Sequence, residues 1–226
     1  MIDLSGQTPF ASGSNRHCFR HPDRPGRCLK LVRPENIEAR YRRQKPVKKL
    51  LGKARLNDNR QEIQAHRQPA VVELLRRGQD QLLWAHLPQF FGPVETAQGW
   101  ANESELLTDS HGAPAETLEQ YLQRRGFDSN ARQLVEDLAG WLTQTGILTR
   151  NLLPHNLVIA SRADQSDARL FLVDGLGAPL LPRLLSTTPA WRLHYIRKRI
   201  RRLYTRIDWE LGDRRQSWEQ AQKAGR

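Results

Sequence analysis

The sequence predicts an α+β chain in two parts, an antiparallel sheet with a helix first and a mostly helical part second. Three observations carry this. Short apolar runs joined by turn formers occupy much of the first hundred or so residues. Two amphipathic periods follow, at 115–126 and 129–146. A small pair of apolar runs, 148–159 and 170–177, then precedes a last helical period.

"RHCFRHP", the turn "DRPG" and "RCLKLV" predict a hairpin from about Arg16 to Val32, with Lys30 near its end. Residues 33–57 are basic, carry Pro34 and Pro46, and receive no element. Asp58 is expected to cap a helix through "NRQEIQAHRQ", placing Glu62 and His66 on one face. "LPQFFGPVETAQGWANESELLT" predicts two strands around the turn "AQG". "AETLEQYLQRRG" is a helix stopped by Gly126. In the next helix, capped by Asp128 or Ser129, Leu134, Leu138, Trp141 and Leu142 make one stripe before Gly146. Leu193, Ile196, Ile200, Leu203 and Ile207 recur at helical spacing in the last segment. The turn-rich "TDSHGAP" sets the expected boundary, giving parts 1–108 and 109–226.

The 226 residues, 38% hydrophobic, suffice for a buried core. No apolar run nears the ~20 residues that cross a bilayer. The start "MIDLSGQTPF" lacks the basic-then-apolar pattern of a signal peptide, so a cytoplasmic protein is expected. Cys18 and Cys28 have no zinc or disulfide-framework spacing and are expected as reduced, partly buried thiols. The net charge of +12 is concentrated at 40–55, with eight Lys or Arg, and at 191–206, with seven. Both stretches suit an anionic partner, and both equally suit a solvated face.

Asn156 and Asp174 are the informative pair. Each borders a short apolar run, so a hairpin would bring both to one end. An amide oxygen and a carboxylate are hard ligands that suit Mg²⁺ when phosphate oxygens complete the shell. Gly175 and Gly177 would let the chain turn sharply there. Lys30 could reach a phosphate, and Glu62 could hold Lys30 in an ion pair, with Glu73 the competing partner. Lysine, glutamate and two metal ligands are the parts of a phosphoryl-transfer site. Taken singly, each has a plainer reading: a turn aspartate, a loop asparagine, a strand-end lysine.

The order Lys30, Glu62, "TRNLLPHN", "VDGLG" resembles the protein-kinase-like two-lobed fold, with an N-lobe of antiparallel sheet plus helix and a mostly helical C-lobe. "NLLPHNLVI" is similar to its catalytic loop, His-x-Asp-x-x-x-x-Asn. More closely, the chain resembles the YrbL family, described as PhoP regulatory network proteins of Gram-negative bacteria. The resemblance rests on "TPFASGSNRHCFRHP", "RCLKLV", "LPQFFGPVET", "LPHNLVI" and "LVDGLG", and covers most of residues 4–180. It implies ATP and Mg²⁺ between the lobes, with adenine near "ESELLTD" and phosphates at Lys30 and the loop of Gly13. Lys30 would pair with Glu62, and Asn156 and Asp174 would hold the metal.

The departures fall on catalysis. Asn151 stands where active kinases carry the aspartate that accepts the substrate proton, and an amide cannot act as that base. Thr149 replaces the usual histidine, and Ala11 and Asn15 stand where glycines are often found. The basic helix begins about 15 residues after Asp174, leaving little room for a peptide-binding segment. His155 could contact a substrate, and a solvent-facing loop histidine is its plainer reading. Three functions follow. The first is an atypical ATP-dependent phosphotransferase with a small-molecule or lipopolysaccharide-type acceptor. The second is a catalytically inactive pseudokinase that senses nucleotide or scaffolds a partner. The third is a basic module whose Trp191, Tyr195 and Tyr204 serve nucleic acid or a membrane surface.

Overall fold

The computed structural model describes residues 1–13, 15–44, 49, 52–162, 167–178, 188–213 and 217–224. Its contacts divide the chain into two units, Met1–His66 with Gln89–Leu106, and Arg67–Pro88 with Leu107–Arg226.

In the first unit, β1 (Ala11–Ser12), β2 (Arg16–Arg20), β3 (Arg27–Val32), β4 (Phe90–Thr96) and β5 (Gly99–Glu105) form one antiparallel sheet. Its order is β1-β2-β3-β5-β4. The period of two gives this sheet two unlike faces. Phe19, Leu29, Leu31, Val94 and Ala101 pack with Ile2 and Leu4 on one of them. Ile2 bridges Thr96 in parallel, and the Leu4 N–H donates to the Gln98 side chain at 3.0 Å, which ties the N-terminus over that core. The other face carries Cys18, Lys30 and Asn102 in cross-strand register. Both cysteines are free, and burial pushes the Cys18 thiol up to about 11 and the Cys28 thiol upward too. Such thiols are poor nucleophiles at neutral pH.

Two helices belong to this unit. α1 (Pro34–Arg42) occupies part of the stretch that received no element. Pro34 stands in its first turn, where a missing N–H costs nothing, and Glu35 and Arg40 and Arg42 suit its two ends. α2 (Asp58–His66) is the helix expected there, with a corrected cap. Asn57 Oδ1, not Asp58, accepts the Arg60 N–H at 3.0 Å. Asp58 lies inside the first turn and accepts from Asn15 Nδ2 at 2.6 Å.

The second unit begins with α3 (Pro69–Arg76) and α4 (Asp80–Trp84), neither anticipated. The expected boundary at 108 left residues 67–88 with the sheet, whereas their contacts join the later chain. Trp141 Nε1 donates to Leu82 O at 2.7 Å, and Leu172 N donates to His86 O at 2.9 Å. α5 (Leu118–Arg125) starts at a reciprocal Thr117–Gln120 capping box and ends at Gly126. α6 (Ser129–Thr145) is capped by Asp128, which accepts from Ala131 N, and stops at left-handed Gly146. The stripe Leu134, Leu138, Trp141, Leu142 is buried as its period requires. β6 (Leu157–Ala160) pairs with β7 (Arg169–Leu172) in an antiparallel ladder. α7 (Pro189–Leu211) buries Ile196, Leu203 and Ile207 and is followed by α8 (Trp218–Ala224). Among the described residues no helix is long and apolar enough to cross a membrane.

The α6 stripe is part of the core of this unit. Replacing fully buried Leu142 by Ala should cost about 2–5 kcal/mol in urea unfolding. Exposed Gln144→Ala should stay within about 0.5 kcal/mol.

Candidate functional site

The first unit places Lys30 and Glu62 together. Lys30 lies on the polar face of β3, and one turn into α2 the Glu62 carboxylate meets it, Nζ to Oε1 at 2.6 Å. The same carboxylate takes Arg16 Nη1 at 2.7 Å and Asn102 Nδ2 at 2.9 Å on Oε2. Asn59 Nδ2 donates to Lys30 O at 2.8 Å, and Asn102 Nδ2 reaches Asn59 O at 3.0 Å. Arg16, Lys30, Asn59 and Asn102 are all buried. Bare ions in this setting would cost several kcal/mol each, and this carboxylate is solvated instead by two cations and an amide. For Lys30, burial opposes the charged form, and Glu62 outweighs it, so the ammonium is held above its ordinary range. For Glu62, burial opposes ionisation, and Lys30 and Arg16 reverse it, holding the carboxyl well below the usual carboxylate range. Glu73 is not the partner: it pairs with Arg76 and Arg77 and belongs to the other unit.

Gly13 sits at the turn between β1 and β2. Its N–H is spent on Arg16 O at 2.9 Å, and an added Cβ would come no closer than 3.8 Å to that oxygen. Nothing in the backbone there demands glycine. This amide is committed to the hairpin rather than offered to a ligand.

The second unit assembles Thr149, Asn151, Asn156 and Asp174 at one end of the β6–β7 hairpin. Asn156 immediately precedes β6, and its C=O accepts Val173 N at 3.0 Å, one residue before Asp174. The Asn156 side chain donates Nδ2 to Asn151 O at 3.0 Å, which turns its Oδ1 into the atom left for a cation. Exposed Asp174 accepts the Gly175 N–H at 2.7 Å. Gly175 O in turn accepts from Arg150 N at 2.7 Å and Thr149 Oγ1 at 2.9 Å. Gly175 lies at φ +84°, and a Cβ there would stand 2.7 Å from Asn151 O. Two further groups hold the loop: Gln68 brackets Leu148, accepting its N–H at 2.7 Å, and Tyr195 OH donates to Thr149 O at 3.2 Å. His155 is exposed, its Nδ1 3.9 Å from Glu119 Oε1.

The donor set suits Mg²⁺: one amide oxygen and one carboxylate, both hard. Among the described residues no three His, Cys, Asp or Glu side chains could hold a metal by themselves, so a cation here would need further ligands such as water or phosphate oxygens. The sequence does not single out Arg16, Asn102 or the contact of Gly175 with Asn151 as site features. Asn102 carried a signal, being a polar residue in the strand run "WANESE" that the register sets opposite Lys30. Arg16 carried none beyond its position at the start of β2.

The basic stretches are partly engaged within the chain. Trp191 stacks on Tyr195 at 5.1 Å, Tyr204 meets Phe127 edge-on, and Arg206 pairs with Glu210. The aromatics read as a stacking surface are thus used internally. Arg197, Lys198 and Arg201 are the exposed cations of α7 between 191 and 206. In 40–55, Arg40 meets Asp58 at 3.5 Å and Arg42 and Lys53 share Glu38. Residues 45–48 and 50–51 of that stretch, Pro46 among them, lie outside the described residues, as do 179–187 after Asp174.

A five-stranded antiparallel sheet whose third strand carries a lysine held by a helix glutamate, followed in the chain by a helical part with an asparagine–aspartate hairpin, defines an α+β protein. The chain matches the family PhoP regulatory network protein YrbL over residues 2–211 and belongs to it. It is 28% identical over 195 residues to the YrbL proteins of Escherichia coli (strain K12) and Shigella flexneri, covering 84% of this chain and 80% of each of those. A solved structure similar to it is a double mutant of the Mycobacterium tuberculosis PknI kinase domain, at 18% identity and TM-score 0.39 over 77% of this chain. The match spans 61% of that kinase domain's length.

Two glycines give opposite expectations. Gly175→Ala should cost well over about 1 kcal/mol in urea unfolding, through both φ and the Asn151 clash. Gly13→Ala should change stability by less than about 0.5 kcal/mol.

Acid should act through two neighbours. His66 stacks on Phe90 at 4.1 Å, and burial pulls its pKa from 6.5 down to about 4. The unfolded chain takes up that proton first, so stability present above pH 6.5 is lost as pH falls towards 4. The depressed Glu62 carboxyl adds a loss beginning below its ordinary 4.5. His66→Phe should remove the upper slope, on the order of 3 kcal/mol, and keep the lower one. Urea midpoints between pH 7 and pH 2 check both.

Proposed function

We propose that this protein binds ATP with Mg²⁺ and that nucleotide occupancy, rather than rapid turnover, is its output. The observation that carries the reading is the buried Lys30–Glu62 pair, 2.6 Å apart on the polar face of the sheet. An ammonium kept charged and immobile inside a protein is suited to phosphate, which it meets as a compact point charge. Asn156 and Asp174, supplied by the second unit, would hold Mg²⁺, which neutralises phosphate charge when bound. An ATP-binding protein of this kind would act in the cytoplasm. The exposed Arg197, Lys198 and Arg201 are the surface for an anionic partner.

Asn151 supports regulation over catalysis. Its amide can orient a hydroxyl by hydrogen bonding and cannot take the proton. The second reading is slow phosphoryl transfer to a small acceptor. Thr149 favours it, because its hydroxyl still secures Gly175 O at 2.9 Å and so keeps the turn that carries Asp174. Transfer depends mainly on positioning and electrostatics, so loss of a base lowers the rate without removing every contribution.

Thermal unfolding with ATP tests the reading. At a hundredfold excess over Kd, ATP with Mg²⁺ should stabilise by ~2.7 kcal/mol, a shift of several degrees. Lys30→Ala and Asp174→Ala should each abolish the shift. No shift in folded wild-type protein refutes nucleotide binding. Asn151→Asp should leave the shift intact. If it also raises ATP turnover, the second reading gains, and no gain favours the first.

A further inference from the structure

We infer that Arg16 is a positioning residue for the nucleotide's phosphates, acting through Glu62 on Lys30. The inference rests on the ATP reading above and deepens it.

One carboxylate serves two buried cations. Glu62 gives Oε1 to Lys30 at 2.6 Å and Oε2 to Arg16 at 2.7 Å. A lysine alone with its glutamate is a neutral pair, and an arriving phosphate must compete with the glutamate for the ammonium. With Arg16 on the second oxygen, the three groups sum to one positive charge. Arg16 adds its positive field to an otherwise neutral pair, so an anion arriving at Lys30 meets a net attraction. A guanidinium stays charged at every relevant pH, and its planar fork suits a carboxylate edge, so this bias is permanent. Asn102 Nδ2 on the same oxygen, at 2.9 Å, keeps the carboxylate from rotating.

The turn preceding Arg16 shows why a side-chain cation matters here. Gly13 N–H is bonded to Arg16 O, Asn15 O accepts from Arg33 N at 2.8 Å, and Asn15 Nδ2 is pinned to Asp58 at 2.6 Å. Among the described residues of this turn, Gly13 N–H is committed to Arg16 O and is not offered to a phosphate. The buried cations beside it are then the charge that this part of the unit presents to a phosphate. Arg16 opposes Val32 in register, two residues from Cys18 and on the same sheet face as Lys30.

A purely structural Arg16 would affect stability alike for all ligands. The test is isothermal titration with ATP, ADP and AMP, each with Mg²⁺, on wild type, Arg16→Gln, Arg16→Lys and Lys30→Met. Arg16→Gln should weaken ATP by about tenfold, ADP less and AMP least, since the lost field acts on phosphate charge. Arg16→Lys restores the charge and should recover most of the loss. An equal loss across the three nucleotides, or none, in folded Arg16→Gln overturns the inference and leaves the ATP reading standing. Failure of wild type to bind ATP overturns both. Lys30→Met should lose ATP in either case, which marks the site as the one measured.

Discussion

Helix α2 is joined to the sheet by charge and hydrogen bonds more than by grease. Of its nine residues only Asn59 and Ala65 are buried. Its anchor is the Glu62 carboxylate, which binds Lys30 on β3, Arg16 on β2 and Asn102 on β5. Three strands and one helix therefore meet at a single side chain. Apolar packing would hold α2 near the sheet with tolerance for sliding. Hydrogen bonds to charged groups, each worth about 1.5–3 kcal/mol, hold only at the right angle and register. The price is desolvation, and it is met only while every partner is present. Asn59 adds a main-chain check, donating to Lys30 O, so the strand position that carries the lysine is sensed twice.

The second unit is governed by a steric constraint of the opposite kind. Asn151 and Gly175 approach so closely that no side chain fits between them. Around that contact the loop saturates its own polar groups: Arg150 N and Thr149 Oγ1 share Gly175 O, and Asn156 Nδ2 takes Asn151 O. Gln68 and Tyr195 then fasten the loop to α3 and α7. Asn156 and Asp174 are left at one end of the hairpin by these contacts, and neither has to be steered there by a metal.

What could be read in the sequence followed period and punctuation. The β2–β3 hairpin, α5, α6 and the β6–β7 pair all carry an alternation or a 3.6-residue stripe bounded by glycine or a cap, and each is found. α1 is hidden because a proline just after a strand and ahead of a basic run reads as a breaker, although in a first turn it is a starter. α3 and α4 form a segment whose bonding partners lie far along the chain, at Trp141, Leu148 and Leu172. No local pattern announces such partners, so the segment went unassigned and the boundary was set after it. In the site, Lys30 and Glu62 could be matched because strand-then-helix order limits the choices. Glu73 could be set aside only once Arg76 and Arg77 were seen to hold it. Arg16 was invisible, since burial of an arginine depends on a carboxylate 46 residues away.

The two departures in the loop can be separated by what each group does. Thr149 stands where the family resemblance places a larger histidine. Threonine is smaller, yet its hydroxyl reaches Gly175 O at 2.9 Å and Tyr195 fastens its carbonyl from the other side. Asn151 differs in kind. Its backbone and Cβ make the close contact with Gly175, and its carbonyl takes the bond from Asn156. An aspartate has the same backbone and Cβ and could stand there without altering either. These contacts of the loop therefore impose no asparagine at 151. On the nucleotide-binding reading proposed above, a chain whose loop is over-determined and whose base position holds an amide would hold phosphate first. Any transfer it performs must draw its rate from charge and position.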